Sequence, residues 1–164
     1  TGFMHPLTGM DHLAAMLAVG LWSALTARRA WPDLLAAPLG FATLLLVGAL
    51  LGLQGLALPG VEPMIAASLL VIGLLAACRL RLPALMGSAL VGVFALFHGL
   101  AHGYELAGNT GAMTTLIGML CATLMLHLTG IAIGWSLRGG QAWLARAAGV
   151  GIAALGAVML AQMA

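Results

Sequence analysis

Lysine is absent from this chain, cysteine occurs only twice, and charged residues make up 6% of its 164 positions. A soluble domain usually carries about 25% charged residues, because it must cover its surface with groups that water can solvate. That scarcity excludes a water-soluble globule. The six arginines are scattered from Arg28 to Arg146 and form no basic stripe, which excludes a nucleic-acid partner. No Walker motif is present, which argues against ATP hydrolysis by this chain. Cys78 and Cys121 are spaced neither as a zinc knuckle nor as a disulfide framework. Both fall in apolar stretches and are read as small buried fillers. The ten methionines form no Met-x-Met or Met-x-x-Met pair that would trap copper(I), so they are expected to face lipid or fill packing gaps.

What the chain does have is hydrocarbon. Hydrophobic residues make up 63% of it, and the mean hydropathy is +1.13. A membrane helix needs about 20 mostly apolar residues. Reading between polar and Pro/Gly breaks places spans at 8–27, 36–57, 64–79, 84–107, 112–137 and 142–163. The expectation is an all-α integral membrane protein, a bundle of six transmembrane helices forming one polytopic domain over residues 1–164. Arg28, Arg29, Arg79, Arg81, Arg138 and Arg146 then all fall on one side, which the positive-inside rule makes cytoplasmic. Both termini are expected outside. Trp22, Trp31, Trp135 and Trp143 cluster toward the arginine side, where aromatic anchors belong. Thr1 stands where an initiator methionine would, so an upstream segment, such as a signal peptide, is expected to have been removed. Glycines at helical spacing, such as Gly48 and Gly52, Gly99 and Gly103, or Gly130 and Gly134, are expected to let helix backbones approach closely.

Ionisable groups inside a membrane are costly, and each is a functional hypothesis by default. Two short segments hold nearly all of them. The first carries His5, Asp11 and His12 at the start of span one, with Pro6 and Gly9 predicting a bend or an unwound start. The second carries His98, His102 and Glu105 in span four. At about 100° per residue these three lie within roughly 60° of one another on a helix. Two imidazoles at i and i+4 can chelate one ion. Span one runs inward and span four outward, so both segments fall in the same half of the bilayer and are expected to converge. Imidazole nitrogen and carboxylate oxygen suit Ni²⁺, Co²⁺ or Zn²⁺. His127, nearer the middle of span five, reads equally as a second ligand on a route or as a structural histidine.

The two segments resemble the signatures of the HupE/UreJ family of nickel and cobalt permeases. His5, Asp11 and His12 match its His-x5-Asp-His pattern, and Phe97 to Glu105 match Phe-His-Gly-x-Ala-His-Gly-x-Glu without a departure. A more distant nickel/cobalt transporter family uses a His-x4-Asp-His spacing instead. The resemblance implies a multi-pass protein of the bacterial cytoplasmic membrane that carries Ni²⁺, with Co²⁺ the alternative, as a transported substrate and not as a resident cofactor. It also implies that His5, Asp11, His12, His98, His102 and Glu105 handle the metal.

The resulting expectation is a permease rather than an enzyme. Asp11 and Glu105 would offset the charge of the ion while His12, His98 and His102 replace its lost water, with His5 as an outer ligand or gate. Release inward would need a conformational change or a second relay site, for which His127 is the candidate. The rival reading is an intramembrane zinc-dependent hydrolase on the same ligands, which lacks a separate general base. A diheme cytochrome fits less well, because His98 and His102 share one helical face. The metal ion and the lipid bilayer are the expected partners. Small membrane proteins often pair, which leaves a homo-oligomer open.

Overall fold

The computed structural model describes residues 2–164 and, for His5 and Pro6, the backbone only. Thr1, and with it the question of a removed leader, lies outside the described residues. Among them are seven α-helices: α1 (His5–Thr8), α2 (Met10–Thr26), α3 (Ala36–Leu53), α4 (Val61–Cys78), α5 (Ala84–Leu106), α6 (Ala112–Leu137) and α7 (Ala142–Met163). A tight turn over Ala30–Leu34 leads into α3. The described residues contain no strand. Helices α3 to α7 are long and apolar enough to cross a membrane, whereas α2, with 17 residues, is shorter.

The helix count therefore differs from six. The first expected span is broken at Gly9, whose backbone is extended (φ −85°, ψ 112°). The second ends at Leu53 and not at 57, because Gln54 and Gly55 (φ 85°) turn the chain away. The third starts at Val61, ahead of Pro63. Proline is tolerated in a first helical turn, where its missing N–H would have had no partner. The fifth and sixth elements match their expected limits, and the fourth differs by one residue.

Three helix pairs make the bundle: α3 on α5, α2 on α6 and α4 on α7. Each pair meets through glycine. A methyl group on Gly48 would fall against the Leu96 carbonyl, one on Gly99 against the Leu45 carbonyl, and one on Gly103 against the Ala49 carbonyl. Gly20 lies against the His127 backbone, Gly130 against Leu17, and Gly73 and Gly149 against each other. The expected role of these glycines is thus realised as backbone contact, the main route to tight packing where lipid removes the hydrophobic drive between helices. The register runs parallel in the first two pairs and antiparallel in α4 on α7.

The C-terminal ends of α2, α4 and α6 gather at one end of the bundle. There Arg79 donates to the Leu25 carbonyl at 3.4 Å, and Arg138 donates to the Ala27 carbonyl. Both cations sit where the helix dipole of α2 presents its negative end. Trp31, Trp135 and Trp143 are exposed at this end, as interfacial anchors require. Trp22 is not: it is buried, its indole N–H donates to the Leu80 carbonyl at 2.8 Å, and its ring covers Gly87. Cys78 and Cys121 also depart from expectation, since both are exposed on the outer surface of the helices. Apolar sequence around a cysteine signals burial in a soluble protein, but in this chain lipid-facing surface is apolar as well.

Replacing Gly48 with alanine should destabilise the detergent-solubilised protein by about 1–3 kcal/mol through forced separation of α3 and α5. Gly151→Ala, where nothing lies within 4 Å of the added carbon, is the control and should leave the melting point unchanged. Equal melting points for the two variants would contradict this packing.

Candidate metal site

At the end of the bundle opposite the arginines, the start of α2 meets the last third of α5. Glycines set this up. Gly99 and Gly103 press one side of α5 onto α3, and that turns the adjoining stripe of His98 and His102 toward the interior. The two segments singled out by sequence do converge. The His12 ring stands 4.4 Å from that of His102 and 4.9 Å from that of His98, centroid to centroid. His98 and His102 are fully buried and His12 is nearly so.

The rings of His12, His98 and His127 are each oriented by a hydrogen bond on one nitrogen. His12 Nδ1 lies 2.9 Å from Asp11 Oδ1, and the same oxygen accepts the His12 backbone N–H. A carboxylate only accepts, so His12 carries its proton on Nδ1 and its lone pair on Nε2. His98 Nε2 lies 3.0 Å from Ser68 Oγ on α4. The Ser68 hydroxyl donates its single proton to the Ile65 carbonyl at 2.6 Å, so it accepts from His98. The lone pair of His98 is then on Nδ1, which has no hydrogen-bond partner among the described residues. On α6, His127 Nδ1 donates to the Met16 carbonyl at 2.8 Å, which leaves its own lone pair on Nε2, without a hydrogen-bond partner among the described residues. Histidine ligands in metal proteins are held in this way, with the second nitrogen tied to a carboxylate, hydroxyl or carbonyl.

The second carboxylate is placed differently. Glu105 Oε2 is 3.9 Å from His102 Nδ1, and its side chain is 64% exposed. It lines a cleft of about 300 Å³ together with Glu62, Leu100 and Tyr104, and also a small pocket beside His102 and Thr115. Glu105 thus touches both the surface and the histidine cluster. The His5 side chain lies outside the described residues. Among the described residues, no three His, Cys, Asp or Glu side chains already gather their donor atoms around one point. The rings of His12, His98 and His102 pack on one another instead, and an ion would have to enter by turning them apart.

Sequence reasoning missed Ser68, Phe41 and the Met16 carbonyl. Ser68 had a signal, as the one hydroxyl in the apolar run from Pro63 to Ala77. Phe41, whose ring lies 5.8 Å from His98 and 5.1 Å from His127, looked like any core aromatic.

The sequence matches the family described as HupE / UreJ protein over residues 1–159. It is 41% identical over 162 residues to the protein named Protein HupE from Rhizobium leguminosarum bv. viciae, covering 97% of this chain and 82% of that one. No solved structure matches. With a multi-pass helical bundle and a match along nearly its whole length, the chain belongs to the HupE/UreJ family, whose members are tied to nickel and cobalt transport.

Proposed function

We propose that this protein is a permease that moves Ni²⁺, with Co²⁺ as the alternative substrate, inward across the bacterial cytoplasmic membrane. The observation that carries this reading is the meeting of His12, His98 and His102 from two helices, with His12 and His98 each held by a partner on the non-ligating nitrogen. Neutral imidazoles suit late first-row divalent ions. In this reading α2 spans the bilayer along with the five long helices α3 to α7, the arginine end is cytoplasmic and both termini are outside.

A hydrated ion is first attracted to the cleft holding Glu62 and Glu105, and Glu105 hands it to His102. The three rings rotate to offer nitrogen in exchange for water. Asp11 does not need to bind the ion to matter: its charge, one hydrogen bond away, makes the His12 imidazole a stronger donor. His5, at the head of the same segment, is assigned as an outer ligand. This reading uses Asp11, bonded to His12, and the solvent-exposed Glu105 to handle the ion and assigns neither as a general base.

Radioactive Ni²⁺ uptake into proteoliposomes should exceed that of empty liposomes, and His102→Ala should reduce it to that background. Uptake that survives His102→Ala would place the path elsewhere. Ser68→Ala separates orientation from folding. A hydrogen bond between membrane helices contributes only about 0.6 kcal/mol on average, so stability should barely change. Losing an orienting partner should nonetheless weaken Ni²⁺ binding about 10–100-fold. Unaltered affinity in a titration of that variant would contradict the assigned role of Ser68.

A further inference from the structure

The histidine cluster lies near one end of the bundle, and an ion released from it faces the apolar interior. One stripe of α2 leads onward. His12, Met16 and Ser23 are spaced at i, i+4 and i+11, within about 40° of one another on the helix. All three are buried. Beside Met16 stands His127, 1% exposed, its Nδ1–H fixed on the Met16 carbonyl and its Nε2 lone pair without a partner among the described residues. Phe41 links the two histidine levels, its ring 5.8 Å from that of His98 and edge-on to that of His127 at 5.1 Å. Further along the stripe, Ser23 Oγ is also buried and unpartnered among the described residues. It lines a small pocket with Thr26 and Asp33. That pocket shares Thr26 and Asp33 with a cleft of about 240 Å³ that also holds Arg28 and Arg81, at the arginine end.

We propose that His127 Nε2 is a second, inner station for the divalent ion, distinct from the three-histidine site, and that the ion leaves past Ser23 into the cleft lined by Asp33. This rests on the permease reading above and extends it. An unpartnered imidazole nitrogen in a membrane interior is costly to maintain unless something uses it. The hydrogen bond to Met16 fixes the one tautomer that can ligate at Nε2. A single imidazole holds the ion with part of its water, which makes it a transit point and not a trap. Asp33 then supplies a carboxylate at the mouth, where its Oδ2 already accepts the Arg28 backbone N–H at 3.2 Å.

The test uses His127→Asn in the full chain. Asparagine can place an N–H near the position of the imidazole Nδ1–H, and so keep the bond to Met16, but it offers nothing at Nε2. Ni²⁺ uptake into proteoliposomes should fall to the level of His102→Ala, while equilibrium Ni²⁺ binding to the purified protein stays that of the parent. Asp33→Asn, which keeps the acceptor for Arg28, should slow uptake with binding unchanged. Normal uptake by His127→Asn would reduce His127 to a structural histidine, overturning the inner station while the permease reading stands. Loss of equilibrium binding in His127→Asn would merge His127 with the first site and overturn a separate station. Normal uptake by Asp33→Asn would overturn the exit. Absence of uptake by the parent would overturn the permease reading, and the inner station with it.

Discussion

A histidine buried in a membrane has no water to satisfy either ring nitrogen, so whatever the protein gives to one nitrogen decides what the other can do. Everything distinctive about this bundle follows from that constraint. Asp11 takes the proton-bearing side of His12, the Ser68 hydroxyl that of His98, and the Met16 carbonyl that of His127. The three partners come from different chemical groups, yet each leaves a lone pair on the far side of its ring. The small energy of each bond gives it more value in direction than in stability, as with the orienting partners of histidines in metal proteins.

Holding direction requires helices that do not drift, and here glycine supplies the rigidity. With lipid on the outside, burying apolar side chains gains little, so backbones approach until they touch. The glycines of α5 set its rotation: Gly99 and Gly103 lie flat on α3, and the angular offset of about 100° per residue carries His98 and His102 to the interior. Gly20 does the same for α2 against α6, holding the Met16 carbonyl where His127 can reach it. The pairing of α3 with α5 and of α2 with α6 is therefore also the mechanism that brings one histidine level above another.

Much of this was legible in the sequence because hydropathy and helical spacing are local. The long helices, the polar stripe at His98 and His102 and the contact glycines were all read from periodicity and breaks. The convergence of His12 with that stripe followed from counting spans. What failed was non-local. Whether Trp22 anchors at the interface or is buried over Gly87 depends on which helix faces it, and its sequence neighbours are the same in either case. Cys78 and Cys121 were misplaced because an apolar context marks both the lipid face and the core of a membrane bundle. Ser68 and the Met16 carbonyl belong to the site only through tertiary contact, and a backbone carbonyl leaves no trace in a residue name.

In the proposed permease, His12, His98 and His102 surround one ion once their rings turn. X-ray absorption at the nickel edge of the purified, Ni²⁺-loaded protein tests it most directly, because imidazole gives a characteristic outer-shell scattering pattern. Several imidazole ligands are expected in the parent, with the loss of about one in each of His12→Ala, His98→Ala and His102→Ala, consistent with nitrogen ligation of a late transition metal. A spectrum without imidazole scattering, or one unchanged across the three variants, would contradict it.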